Sequence, residues 1–203
     1  MRQIVLATRN RGKVAEFERL LAEYASDVEV LGLTDFSNLP DVDETGSTFS
    51  ENAFIKAREV SAFTNLAAIA DDSGLCIDFL GGDPGIFSAR WSGVHGDDAA
   101  NIEKVLAQLI EVPESQRTAS FQCAVALHLP DGREIVQIGQ LAGRITLLPR
   151  GSAGFGYDPI FQPNGFGLTL GEFAPGEKDK ISHRGQALRK IAPQIGEFLE
   201  SRQ

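Results

Sequence analysis

The apolar run through residues 3–8 predicts a first buried strand, closed by the polar turn Arg9-Asn10-Arg11-Gly12. From Lys13 the period changes. Val14, Phe17, Leu21 and Tyr24 recur three or four apart, the spacing of one buried helix stripe. After an irregular stretch, Thr48-Phe49-Ser50-Glu51 has the form of a capping box, with a hydroxyl at the N-cap and a glutamate three residues on. The helix it opens is predicted to reach about Phe63, with Phe49, Ala53, Val60 and Phe63 on one side. Leu66–Ala70 reads as a short buried strand that stops at Asp71-Asp72-Ser73-Gly74. A Gly/Pro-rich loop spans Gly81 to Gly96, and Asp97 or Asp98 caps a helix carrying Ile102, Val105, Leu106 and Leu109. Residues 118–129 and 134–141 alternate apolar and polar around Pro130-Asp131-Gly132, the signature of a hairpin. A second loop-rich stretch holds Phe155-Gly156-Tyr157-Asp158 and reaches Ser182. There a last helix begins, presenting Leu188, Ile191, Ile195 and Phe198, with Pro193 expected to kink it. Helices mixed with strands and a hairpin predict a mixed α/β sheet covered by helices. No internal repeat, low-complexity tract or linker interrupts it, so residues 1–203 read as one continuous unit.

Composition narrows the class. With 203 residues and 42% apolar positions the chain is long enough for a real core. No apolar run approaches the ~18–20 residues needed to span a bilayer. The N-terminal run is too short for a signal-peptide core. Cys76 and Cys123 sit in apolar segments and match neither a zinc pattern nor a disulfide framework, so they read as reduced core residues. A cytoplasmic enzyme with no membrane role fits these features. The net charge of −9 argues against a nucleic-acid polymer as partner. It leaves room for a small anionic ligand held by a few gathered cations.

Four segments carry candidate chemistry. In Thr8-Arg9-Asn10-Arg11-Gly12-Lys13 a strand, a glycine turn and a helix start bring backbone N–H groups and the positive end of a helix dipole to one point beside Lys13. Neither a Walker loop nor G-x-G-x-x-G is present, so an ordinary turn with solvated charges is the competing reading. Asp71 and Asp72 follow five apolar residues, a costly arrangement unless the carboxylates are solvated, hydrogen-bonded or facing a cation. Successive strand residues face opposite ways, so one aspartate would enter a site while its neighbour braces the loop. Before the second helix stand Asp43 and Glu44; on it, Asn52 and Lys56 lie one turn apart on a shared face. Glu44 and Asp72 together would suit Mg2+, with waters and substrate phosphates completing the shell. Finally, Lys178, Lys180, His183 and Arg184 cluster downstream of Phe155 and Tyr157, a combination suited to phosphate charge and a base ring. Lys180 reads as an exposed residue, and His183 is not read as a metal ligand.

Taken in order, these segments resemble the inosine/xanthosine triphosphate pyrophosphatase family over nearly the whole chain. The resemblance rests on Ala7–Lys13, Glu44–Phe49 with Glu51-Asn52-Ala53 and Lys56-Ala57, Ala70–Leu75, Pro84–Arg90, Gly154–Pro159 and Ser182–Gly185. It implies an elongated mixed β-sheet with flanking helices, forming two lobes around a central cleft, and a homodimer. It implies hydrolysis of non-standard purine nucleoside triphosphates such as ITP, dITP and XTP to monophosphate and pyrophosphate. By the same resemblance Asp72 is the general base, and Glu44 with Asp72 binds Mg2+. Whether Asp43 or Asp71 joins the metal is left open. Thr8, Arg9, Asn10, Arg11, Gly12 and Lys13 hold the triphosphate; Lys56, Ser73 and Lys178 contact substrate. Phe155, Gly156, Tyr157, Asp158, His183 and Arg184 form the base pocket.

Asp72, ionised beside a cation, is expected to titrate low, which fits a site working best at neutral to alkaline pH. Base choice follows from hydrogen bonding: hypoxanthine and xanthine carry an acceptor at the 6-position where adenine carries a donor, so a pocket donor there, from Arg184 or a backbone amide, disfavours ATP. Two rivals stand beside this reading. One is a septum-inhibitor-type pyrophosphatase acting on dTTP or modified pyrimidine triphosphates. The other is a nucleotide sensor without turnover.

Overall fold

The computed structural model describes residues 2–24, 28–36 and 39–200. Six strands form one sheet in the order β2-β1-β3-β4-β5-β6: β1 Arg2–Leu6, β2 Val28–Gly32, β3 Ala67–Ile77, β4 Thr118–His128, β5 Glu134–Ile145 and β6 Phe161–Pro163. β1 pairs in parallel with β2 and with β3, while β5 and β6 are antiparallel. The helices are α1 Arg11–Tyr24, α2 Phe49–Thr64, α3 Asp98–Gln108, α4 Pro175–Ile181 and α5 His183–Glu200. The fold is therefore the mixed α/β sheet the periodicity predicts. No described helix is long and apolar enough to cross a membrane.

The chain divides into two compact units. The first comprises Met1–Asp72, Cys123–Gly139 and Arg184–Gln203; the second comprises Ser73–Gln122 and Gln140–His183. In the first unit the two-residue period of the strands sorts side chains onto two faces. Ile4 and Leu6 of β1, Ala67 and Ile69 of β3, and Cys123, Val125 and Leu127 of β4 share one core with Phe17 and Leu21 of α1 and Leu188, Ile191 and Ile195 of α5. Their neighbours Val5, Ala7, Ala68, Ala70, Ala124 and Ala126 face the other way, against Ala53, Ala57 and Val60 of α2. Odd positions of β3 thus meet α1 and α5, and even positions meet α2. In the second unit Leu75 and Ile77 of β3 join Phe121, Val105, Leu109, Ile145, Phe161 and Leu170 in a separate core.

Several boundaries differ from the sequence expectation. β3 does not stop at Ala70 but continues through both aspartates to Ile77. Each carboxylate finds cationic or amide partners, so the strand need not surface to solvate them. The first helix begins at Arg11 rather than Lys13, because the Asn10 side chain accepts the Lys13 N–H at 3.1 Å and caps it. β5 runs on to Ile145, beyond the alternating segment. The stretch before Ser182 contains α4, whose Pro175 is at the favourable first position and whose Lys178 and Lys180 lie in the last turn. Seven residues are too few for periodicity to reveal. On α2, Phe63 is 49% exposed, to the side of the stripe set by Ala53, Ala57 and Val60. Pro193 lies inside α5. The side chain of Tyr24 falls outside the described residues.

Other expectations hold as drawn. Thr48 caps α2 by accepting the Glu51 N–H at 3.1 Å, and Glu51 reaches back to the Ser47 amide and hydroxyl, both at 2.7 Å. Asp97, rather than Asp98, caps α3, accepting the Ala100 N–H at 3.0 Å. Both cysteines are free thiols.

Candidate active site

Asp71 and Asp72 are adjacent on β3 and so inherit its two faces. Asp71, at an odd position, meets Lys13 of α1, whose Nζ is 3.0 Å from Oδ2, and Arg184 of α5, whose guanidinium donates to the same oxygen at 3.1 and 3.2 Å. Arg184 is the largest of the fully buried side chains described, and it also pairs with Glu16. Burial alone would push the Asp71 carboxyl up. Lys13, Arg184 and Lys56 outweigh that and hold it well below the usual carboxylate range. Asp71 is thus an ionised brace between α1 and α5 at neutral pH, and the Cys123 Sγ lies 3.9 Å from it.

Asp72, at an even position, faces α2. The Asn52 amide donates to its Oδ2 at 3.0 Å, and Lys56 Nζ stands 3.8 Å from Oδ1. Asn52 and Lys56 are one turn apart on α2, so both reach one strand residue. The same Lys56 donates to Glu44 Oε1 at 2.6 Å. The oxygen of the Asn52 amide accepts the Gly46 N–H at 2.8 Å, which ties the loop carrying Glu44 to this face. A Cβ on Gly46 would stand 2.7 Å from that oxygen, so the close approach requires glycine. Burial, aided by Glu44, pushes the Asp72 carboxyl up against the opposing pull of Lys56, Lys13 and Asn52. The protein groups around Asp72 thus act opposite to the low titration expected beside a cation. Two neighbouring aspartates are set apart by environment: cations hold Asp71 as an anion, while burial works against the anion of Asp72.

The donor set suits a hard divalent cation. Glu44 and Asp72 repel each other electrostatically, and both belong to the α2 face. Mg2+ is commonly held by only one or two carboxylates, with waters and substrate phosphates completing its shell. Among the described residues no group of three or more metal-donor side chains occurs, and Asp71 is engaged by Lys13 and Arg184. Asp43 is exposed.

The remaining predicted residues fall as follows. In the first unit, Thr8 Oγ1 accepts the Asn10 N–H at 3.2 Å, and Arg9 pairs with Asp41 at 2.9 Å and donates to the Leu39 carbonyl. Arg11 is exposed, with Gly12 beside it in the first turn of α1. In the second unit, Ser73 is half-buried, directly after Asp72 on β3. Phe155 is half-buried, and Lys178 Nζ lies 4.7 Å from its ring centroid. Lys178 also pairs with Asp158 at 2.7 Å, and that carboxylate accepts the Phe155 N–H at 2.9 Å. Tyr157 is buried and donates its hydroxyl to the Ser88 carbonyl at 2.9 Å; the Gly156 N–H is given to Asp98 at 2.7 Å. His183 stacks on Phe121 with ring centroids 4.8 Å apart. Lys180 is exposed.

Tyr157 and Asp158 therefore support the loop from inside, while the half-buried Phe155 ring sits beside a lysine. Arg184 is committed to Asp71 and Glu16, and the amides of Phe155, Gly156 and Asp158 are donated within the protein. Of the donors expected for the base, Arg184 and these three amides are engaged within the protein in this arrangement. Lys178 is the donor placed beside the Phe155 ring.

Gly154 shows how tightly this loop is built. Its φ of +78° lies in the left-handed region, and a Cβ there would overlap the Asp158 carboxylate. Gly154→Ala is expected to cost about 2 kcal/mol and lower Tm by roughly 4–8 °C in thermal unfolding. An unchanged Tm would show that the Asp158 clamp is dispensable.

Sequence comparison decides the family. The Ham1 family pattern matches residues 4–194. The chain belongs to the Ham1 family. It is 51% identical over 199 residues to a protein of Streptomyces avermitilis described as a dITP/XTP pyrophosphatase, covering 98% of this chain and 100% of that one. A Lactiplantibacillus plantarum protein of the same description is 49% identical, over 96% of this chain and 95% of its own. Among solved structures, a HAM1 protein from Coxiella burnetii superposes with a TM-score of 0.87 at 45% identity, covering 97% of this chain and 100% of that one. A nucleoside-triphosphatase/dITP/XTP pyrophosphatase from Mycobacterium abscessus gives 0.77 at 50% identity, over 94% and 99%.

Glu16 and Asp98 lie outside the site residues read from sequence, and Asn52 is singled out there without a role, though all three hold parts of the site. Asn52 shares a helix face with Lys56 and so was within reach of the spacing argument. Glu16 stands three residues from Lys13, on the same side of α1. Asp98 is a second carboxylate beside a cap that needs one.

Proposed function

We propose that this member of the Ham1 family hydrolyses non-standard purine nucleoside triphosphates, ITP, dITP and XTP, to the monophosphate and pyrophosphate. The observation that carries the reading is the sorting of Asp71 and Asp72 onto opposite faces, one locked by Lys13 and Arg184, the other raised by burial beside Lys56 and Glu44. An anion binder gains nothing from a carboxylate kept beside phosphates, whereas a hydrolase needs one to take a proton. The relatives described as dITP/XTP pyrophosphatases over almost the whole chain support the substrate class.

In this reading water attacks the α-phosphorus, Asp72 accepts the proton, the bond to the β-phosphate oxygen breaks and pyrophosphate leaves. Asn52 fixes the rotamer of Asp72, and Lys56 offsets negative charge at the same place. The N-terminus of α1 with Lys13 receives the triphosphate. Glu44 and Asp72 would hold Mg2+, which when bound would supply charge compensation for the phosphates. Phe155 offers a ring face to the base, and Lys178 a donor to its 6-oxo group. A cytoplasmic homodimer belongs to the same reading.

The test is pyrophosphate release from ITP, XTP, GTP, ATP and dTTP, with and without Mg2+. Metal-dependent release from ITP and XTP, at least about a hundredfold faster than from GTP or ATP, is expected; that ratio corresponds to ~2.7 kcal/mol. Preference for dTTP would move the assignment to pyrimidine triphosphates. Binding without release from any of them would leave a sensor.

A further inference from the structure

The loop that carries Phe155 has three side-chain anchors in the second unit, and one of them comes from outside the loop's own sequence and is not needed as a helix cap. Asp158 holds the Phe155 amide and Lys178; Tyr157 holds the Ser88 carbonyl. The third is Asp98, at the first position of α3, whose Oδ2 accepts the Gly156 N–H at 2.7 Å across 58 residues of sequence. Capping does not need it, because Asp97 already takes the Ala100 N–H. The Gly156 N–H lies in the peptide plane that joins Phe155 to Gly156, so a bond to it fixes ψ of Phe155. Gly156 itself has a φ of +58°, a conformation that glycine visits no more readily than its alternatives. The carbonyl of that peptide accepts the Asp158 N–H at 3.3 Å within the loop, so Asp98 is its anchor from outside the loop, and losing it frees the peptide to shift the backbone on which the Phe155 ring is carried.

We propose that Asp98 is a positioning residue for base recognition: by accepting from the Gly156 amide it fixes the peptide that aims the Phe155 ring. The inference rests on the reading of Phe155 as the platform for the purine. Asp98 touches no substrate in this account; it acts through the loop.

Asp98→Ala and Asp98→Asn separate this role from a favourable charge at the start of α3. Both variants remove the charge, but asparagine keeps an acceptor oxygen. With ITP, Asp98→Ala is expected to raise KM about tenfold with kcat changed less than about threefold, while Asp98→Asn stays near the parent protein. In a Phe155→Ala background, Asp98→Ala should add no further effect. Exchange of the Gly156 amide proton gives a readout free of activity: slow in the parent and Asp98→Asn, fast in Asp98→Ala. Equal effects of the two Asp98 variants, an Asp98→Ala effect that persists without Phe155, or unchanged Gly156 exchange would overturn the inference. If Phe155→Ala alone leaves KM for ITP unchanged, the ring is not the base platform and the pocket reading fails, whatever the Asp98 variants do.

Discussion

Asp72→Asn is expected to lower kcat for ITP by roughly 10²–10⁴-fold, the range for loss of a positioned general base, with nucleotide still bound, though more weakly where the proposed Mg2+ contributes. Asparagine has nearly the shape of aspartate and still offers an oxygen to the Asn52 amide, which donates to Asp72 at 3.0 Å. Lys56 retains Glu44 at 2.6 Å. Burial is the main influence raising the Asp72 carboxyl, so the ionised form is destabilised where it sits. Removing the charge should therefore leave Tm unchanged or raise it slightly, and the lost turnover cannot be blamed on unfolding. Single-turnover kinetics with calorimetric titration of a non-hydrolysable triphosphate would separate chemistry from binding. A kcat within tenfold of the parent would remove Asp72 from the proton-transfer role.

How far this site was legible in the sequence depends on range. The opposite facing of Asp71 and Asp72 follows from the two-residue period of a strand, and the shared face of Asn52 and Lys56 from the helix repeat. Local rules of that kind also gave the Thr48 cap and the stripes of α1, α3 and α5. They failed where a partner lies far along the chain. Arg184 is 113 residues from Asp71 and 168 from Glu16, so nothing local marks it as a buried brace rather than a pocket donor. The end of β3 was misplaced for the same reason. Two aspartates look like a strand terminus until Lys13, Arg184, Asn52 and Lys56 are brought to them. Tyr157 and Asp158 enter the base pocket through the family resemblance, which says nothing of where their hydroxyl and carboxylate groups are engaged within the fold. The structure spends those groups on Ser88, Lys178 and the loop's own amides.

The largest loss of stability is expected from Arg184→Met. Arg184 is 1% exposed, and its guanidinium serves two carboxylates, Asp71 and Glu16. Methionine fills much of the volume but leaves both acids buried, with Lys13 and the more distant Lys56 still acting on Asp71. Removing one partner of such a pair typically costs about 3–5 kcal/mol, a large part of a domain's stability. The deficit should depend on pH, with a definite sign. Asp71 has a folded-state value below its ordinary 3.8. Its stabilising contribution is therefore fully present above pH ~3.8 and fades as pH falls toward the folded value. Without Arg184 that folded value rises, so the variant's acids take up protons sooner and their penalty is relieved. Urea unfolding should show the full deficit at pH 7 and a smaller one at pH 4. A deficit under about 1 kcal/mol at pH 7, or one that widens on acidification, would mean that the buried brace is not held by charge. A hydrophobic pair would then serve as well, because replacing a buried ion pair on both sides is often neutral. The double variant Arg184→Met with Asp71→Leu tests that directly. Recovery of most of the lost stability would show that Arg184 matters for stability because Asp71 is charged.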